Sequence, residues 1–225
     1  MDRRVQIITG HYGSGKTEIA VNLALRFAAE GQNVALADLD IVNPYFRSAE
    51  RRKLLEDHGV RLIATSFSGY IDLPAVTPEV LTVFENKAYR GIVDMGGDPE
   101  GAHVLGRFEN RIEADDFDML CVLNANRPET STPEKALLYL RGIEIASGQK
   151  MTGIISNTHL CRETRVEDIL KGAKLAAEVS KESGLPVVWH AVERRFVEEV
   201  RYQMGEGEIL PIDIYMCKPW EFGMQ

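Results

Sequence analysis

The chain has 225 residues, of which 44% are hydrophobic and 27% charged, and a net charge of −8 at pH 7. That length suits a single α/β domain, and the acidic balance weighs against direct nucleic-acid binding through a broad basic face. No apolar run approaches the roughly 20 residues that a membrane span requires. Met1-Asp2-Arg3-Arg4 leads straight into the first apolar run and leaves no room for a signal peptide, so a cytoplasmic location is expected. Cys121, Cys161 and Cys217 are far apart with no C-x-x-C pair, which argues against a disulfide framework and against a cysteine-pair metal site.

In chain order, Val5-Gln6-Ile7-Ile8-Thr9 reads as a buried strand. It runs into Gly10-His11-Tyr12-Gly13-Ser14-Gly15-Lys16-Thr17, which fits G-x-x-x-x-G-K-[ST] at every fixed position. Residues 18–27 then place apolar side chains at helical spacing. A second strand at 34–37 ends in Asp38-Leu39-Asp40, a charged helix at 48–58 is closed by Gly59, and a third strand covers 60–64. Residues 66–78 form a long connection rich in turn formers. A helix starts at Pro78, and a fourth strand at 91–94 feeds Met95-Gly96-Gly97.

The same rhythm continues. Residues 118–124 are a continuous apolar run, as expected of a strand buried on both faces. A helix at 133–147, a strand at 152–157, a helix at 164–183 and a strand at 185–190 follow. Residues 209–214 read as a short edge strand, because Pro211 is tolerated only at an edge. The tail Lys218-Pro219-Trp220-Glu221-Phe222 either docks on the body or serves as a partner-binding hook. Helix–strand alternation without a linker predicts one domain over residues 1–225, a three-layer α/β/α fold with a mostly parallel sheet.

The chemistry concentrates at strand ends, where open α/β sheets bind ligands. In the glycine-rich loop, backbone N–H groups can point at phosphate oxygens and the helix N-terminus adds a favourable dipole. Gly10, His11, Tyr12, Gly13, Ser14, Gly15, Lys16, Thr17 and Glu18 are therefore the candidate nucleotide-binding residues. Lys16 would bring a cation to the β- and γ-phosphates and Thr17 a hydroxyl to Mg²⁺. Asp94, followed by Gly96-Gly97, matches a Walker B strand and is a candidate for the Mg²⁺ shell.

The phosphate loop, Asp38-Leu39-Asp40 and Asp94-Met95-Gly96-Gly97 resemble those of the ParA/MinD/CobQ-type ATPases, a branch of the P-loop NTPases with an all-parallel sheet. The resemblance spans roughly residues 3–195. It implies ATP and Mg²⁺ as cofactors, with Asp40 orienting the attacking water and Lys16 acting with it in catalysis. It also implies that Asp38 supports the metal shell, so the metal set is Thr17, Asp38, Asp40 and Asp94. The family's loop carries an extra lysine after its first glycine, which reaches a partner's phosphates across a nucleotide-sandwich dimer. Here that position is His11, which puts dimer-coupled hydrolysis in question, and Arg47 is a candidate substitute cation. Asn157-Thr158-His159-Leu160 has no acid at the place where N-K-x-D readers of guanine carry Asp. Adenine is therefore favoured, with Asn157 either pairing with the base or bracing the phosphate loop, and the residues after Trp189-His190-Ala191 covering the base's other side.

The leading expectation is a nucleotide-driven switch or assembly factor with an unidentified protein partner and a nucleotide-dependent homodimer. The rivals are a small-molecule kinase or synthetase and a nucleotide-binding subunit of negligible turnover. For the kinase, the 66–78 connection with Tyr70 and Asp72, together with residues 126–130, would line the acceptor pocket.

Overall fold

The computed structural model describes residues 3–40, 47–64, 78–106, 111–112 and 116–216. The 66–77 connection, residues 41–46 and the 217–225 tail, on which several expectations fall, lie outside the described residues. Eight strands form one sheet: β1 (Val5–Thr9), β2 (Val34–Leu39), β3 (Arg61–Ala64), β4 (Arg90–Met95), β5 (Phe117–Leu123), β6 (Gly153–Ser156), β7 (Val187–Glu193) and β8 (Ile209–Ile212). Their order is β3-β2-β4-β1-β5-β6-β7-β8, and every neighbouring pair is parallel. The helices are α1 (Lys16–Ala29), α2 (Arg52–Asp57), α3 (Leu81–Glu85), α4 (Pro99–Gly106), α5 (Pro133–Ser147), α6 (Val166–Ser183) and α7 (Val197–Met204).

The alternation of side chains along a strand divides the core between the two faces. Ile7, Met119 and Cys121 join one apolar cluster, with α4 and α5 packed on it. Ile8, Leu120 and Val122 join the other, with α1 above them and β8 contributing Leu210 and Ile212. Central strands read as unbroken apolar runs because both faces are covered. The bounds of α5 follow from its ends: Thr132 accepts from the Lys135 N–H, Pro133 starts the first turn, and Gly148 closes it at φ 69°.

Two helices have no counterpart in the sequence expectations. The α4 sequence, PEGAHVLG, has low helix propensity, but packing holds it: a Cβ on Gly101 would lie 2.8 Å from the Gly96 Cα. The two-turn α7 buries Val197 and Val200 against Val166, Ile169 and Val192. The charged helix expected over 48–58 begins as a 3₁₀ turn, Ser48–Arg51, before α2. At the edge, Pro211 of β8 lies opposite Val192 of β7.

The end of the sheet away from the glycine-rich loop is fastened by Arg4. Its guanidinium donates to the carbonyls of Val83 (2.9 Å), Tyr89 (2.9 Å) and Phe84 (2.7 Å), and is also paired with the Asp116 carboxylate. Among the described residues, no helix is long and apolar enough to cross a membrane.

Candidate functional site

The loop from Gly10 to Thr17 leaves the C-terminal end of β1 at the middle of the sheet and enters α1. Gly13 (φ 74°) and Gly15 (φ 87°) occupy left-handed backbone that side chains disfavour. The loop is held from outside by its carbonyls. Asn157 Nδ2 donates to Ser14 O at 2.8 Å, Arg127 Nε to Gly13 O at 2.9 Å, and Asn124 Nδ2 to Gly13 O at 3.3 Å. The first N–H groups of α1 have no intrahelical acceptor, as at any helix start. Ser14 Oγ is buried with no hydrogen-bond partner. A buried hydroxyl donor beside left-handed glycines and a helix start fits an anion rich in acceptor oxygens. Of the two roles open to Asn157, its amide is engaged in bracing the loop.

The acids lie on one side of that loop. Asp38 and Asp94 sit side by side in the β2–β4 register. Lys16 Nζ meets Asp40 Oδ2 at 2.8 Å, with side chains only 7% and 5% exposed. Arg47 grips both oxygens of Asp38, at 3.2 and 3.3 Å, and Asp38 Oδ2 also accepts from the Ala49 N–H at 3.1 Å. Arg47 is buried against this carboxylate, so the expectation that it offers a cation to a partner molecule is corrected. Ser48 Oγ donates to Asp94 Oδ2 at 2.7 Å, while Asp94 Oδ1 is buried with no hydrogen-bond partner.

Burial pushes the Asp94 carboxyl up to about 7; the Lys16 ammonium pulls it down and Asp38 pushes it further up. Burial likewise raises Asp38, against the opposing pull of Arg47. The Lys16 ammonium, which burial would lower, is held above its ordinary value by Asp94 and Asp40. Among the described residues, no group of three or more His, Cys, Asp or Glu side chains is placed to hold a metal by itself. The unpartnered Asp94 oxygen, together with the Thr17 hydroxyl in the first turn of α1, fits Mg²⁺, which is bound through one or two protein ligands plus phosphates and water.

The glycine loop after β4 touches the phosphate loop. A Cβ on Gly97 would lie 1.9 Å from Gly10 O, so only glycine permits this approach. Tyr139 Oη donates to Gly97 O at 2.9 Å, and Thr9 Oγ1 to Gly96 O at 3.4 Å. His11 stands edge-on to the Tyr139 ring, 5.8 Å between centroids, with Nδ1 3.6 Å from Glu129 Oε2. Tyr12 is 57% exposed at the loop tip.

Several contributors escaped sequence reading. Ser48 and Tyr139 sit in stretches with no motif, and Asn124 ends a strand that reads only as core. Arg127, expected to line an acceptor pocket, supports Gly13 instead. Glu18, expected among the nucleotide contacts, gives its carboxylate to the N–H groups of Tyr215 (2.8 Å) and Met216 (3.0 Å), and burial raises it to about 7. His159 Nε2 is buried close to Gly15; burial and the Arg127 charge lower its pKa to about 4.

A central strand, a glycine loop and a helix in a parallel sheet, with a loop lysine facing strand-end aspartates, define the P-loop NTPase fold. Comparison with known structures agrees at the level of the fold. FtsY of Thermotoga maritima superposes with a TM-score of 0.53 at 20% identity, covering 81% of this chain and 59% of that one. The signal recognition particle 54 kDa protein of Aeropyrum pernix, solved with GDP, gives 0.52 at 20% identity, covering 81% of this chain and 40% of that one. A nucleotide-binding protein from Archaeoglobus fulgidus, solved with ADP, gives 0.50 at 14% identity over 91% of this chain and 89% of the other.

In sequence, the chain is similar to the cytosolic Fe-S cluster assembly factor cfd1 of Emericella nidulans. They are 31% identical over 94 residues, which cover 42% of this chain and 26% of that protein's length. No family profile matches the chain.

Proposed function

We propose that the protein binds ATP with Mg²⁺, hydrolyses it slowly, and uses the nucleotide as a switch in an assembly role. The observation that carries this reading is the 2.8 Å pair between Lys16 and Asp40. The cation needed for the terminal phosphates and the carboxylate needed for the attacking water are held against each other. A triphosphate drawing Lys16 away leaves Asp40 to orient water. Lys16 and the N–H groups at the start of α1 would bind and orient the phosphates, and Ser48 and Arg47 hold the two remaining aspartates in place. Thr17 and Asp94 would hold Mg²⁺, which supplies charge neutralisation across the phosphates.

Contact between Gly97 and the phosphate loop gives the switch a route outward, because a change at Gly10 must move the glycine loop and, through Gly97 O, Tyr139 on α5. Adenine is preferred over guanine because Leu160, and no acid, stands at the fourth position after the β6 strand end, and it is exposed. The similarity to an assembly factor in one segment supports an assembly role over the kinase reading. So does the commitment of Arg127 to Gly13 O, which removes it from the acceptor pocket expected there.

The test is product release from purified protein with Mg²⁺, comparing ATP with GTP, and size-exclusion with and without nucleotide. ADP release with an ATP-dependent dimer or complex is expected. Turnover that depends on an added small-molecule acceptor would replace the switch with the kinase.

A further inference from the structure

The N-terminal ends of the strands carry a second hollow, at the opposite end of the sheet from the phosphate loop. A cavity of about 370 Å³ opens there between the α1–β2 turn and the α3–β4 turn, beside the entry to β1. Arg4, Gln32, Asn33, Lys87, Tyr89 and Arg90 line it. The Arg90 N–H donates to Asn33 O at 2.7 Å, which fixes the spacing of the two turns.

Three of the lining side chains are cations, each held in its own way. The Arg4 guanidinium is engaged by backbone carbonyls, so it contributes charge rather than donors. The Arg90 guanidinium lies over the Phe27 ring, 4.4 Å from its centroid, a stacking that sets its plane. Lys87 Nζ meets Asp116 Oδ2 at 3.0 Å, with its side chain 51% exposed. Asp116 also accepts from Arg4 Nε at 3.0 Å. Burial would raise the Asp116 carboxyl, but the bonds from Arg4 and Lys87 hold it below its ordinary value, so it carries a full charge at neutral pH. Glu30, which accepts from Gln32 Nε2 at 3.1 Å, is itself paired with Arg26. Three positive charges around the hollow thus face one carboxylate, in a chain whose net charge is −8.

Gathered cations repel one another, and a bound anion relieves that repulsion. The donors reach the hollow from two separate turns, as an ammonium, a guanidinium and two carboxamides. Such a set suits a tetrahedral phosphate, with acceptor oxygens on every side, better than a planar carboxylate. The volume falls within the roughly 300–1,000 Å³ of small-molecule pockets, which leaves room for more than a bare ion. We propose that this hollow binds the phosphomonoester of a small molecule, with Lys87 and Arg90 at its phosphate. The site shares no residue with the nucleotide site and does not depend on the nucleotide-binding reading.

The experiment follows backbone amide shifts of the full chain by NMR as inorganic phosphate, glycerol 3-phosphate or glycerol is added at constant ionic strength. Glycerol 3-phosphate is expected to give saturable shifts at Asn33, Lys87, Ala88 and Arg90, and to bind more tightly than inorganic phosphate. Glycerol should give none. Occupancy of the phosphate loop appears separately, at residues 13–17, so the two sites are read apart. Lys87→Glu reverses an exposed charge and should weaken glycerol 3-phosphate about tenfold at these amides, and Lys87→Gln about threefold. Shifts confined to residues 13–17, or matched by glycerol, would overturn the proposal. Unchanged affinity in Lys87→Glu would overturn it too. Equal affinity for phosphate and glycerol 3-phosphate would reduce the hollow to a bare-anion site and refute the assignment to a phosphomonoester.

Discussion

Replacing Asp40 by alanine tests the central claim about Lys16. The perturbation removes a carboxylate 2.8 Å from the ammonium, at a position where both side chains are almost fully buried. Orphaning a buried charge usually costs about 3–5 kcal/mol. Here Lys16 keeps the charge of Asp94, which also holds its ammonium above the ordinary value. We therefore expect a loss of only about 1–2 kcal/mol, and this loss applies to the nucleotide-free protein. A bound triphosphate replaces the missing carboxylate, so the same energy appears as tighter binding, about tenfold for ATP. Turnover should fall about 100-fold or more, because the carboxylate proposed to orient water is gone while Asp38 stays held by Arg47 and Asp94 by Ser48. Equilibrium binding of labelled ATP and single-turnover ADP release measure the two effects separately. Weaker ATP binding together with undiminished turnover would refute both the competition for Lys16 and the role of Asp40.

Three further outcomes follow from the geometry. Gly97→Ala drives a methyl group into Gly10 O and should cost about 2 kcal/mol or more in urea denaturation, with loss of ATP binding. Unchanged binding would mean that the two loops do not work as a unit. Tyr139→Phe removes the bond to Gly97 O and should cost about 1 kcal/mol, with ATP binding retained. For His159, the folded imidazole titrates at about 4 against 6.5 for an ordinary one, so the folded state binds fewer protons between those values. Its contribution is present in full above 6.5 and is lost as pH falls toward 4. Over that window wild type should lose about 1–3 kcal/mol more than His159→Gln, read from urea midpoints. Parallel pH profiles would exclude the effect.

The phosphate loop was legible because its chemistry is local: backbone angles at Gly13 and Gly15 and the lysine that follows depend on neighbours in sequence. The strands were legible because burial on both faces leaves continuous apolar runs, and α5 because Thr132, Pro133 and Gly148 mark its ends. What stayed hidden depends on distant partners. Arg47 reads as a cation offered to a partner until β2 places Asp38 beside it. Tyr139 is an ordinary residue of an amphipathic helix until α5 delivers it to Gly97. Glu18 sits next to the motif and was grouped with it, but its carboxylate serves a segment almost 200 residues further on. PEGAHVLG forms α4 with help from distant packing: Gly96 and Gly101 let two backbones approach closely, while Asp98 caps its start.

The Arg4 clamp has a consequence for motion. One guanidinium ties the entry to β1 to the exit of α3 and the approach to β4, at the end of the sheet away from the phosphate loop and its aspartates. The Val5 N–H meets Asp116 O at 3.0 Å and the Gly91 N–H meets Arg4 O at 3.0 Å in the same place. That end works as a fulcrum. Under the proposed switch, a rearrangement at the phosphate loop would pivot about it, with displacement growing along the strands toward the rim that carries the candidate site. Amide exchange should register the same asymmetry, with Val5 and Gly91 protected whether or not nucleotide is present and the loop amides changing with occupancy.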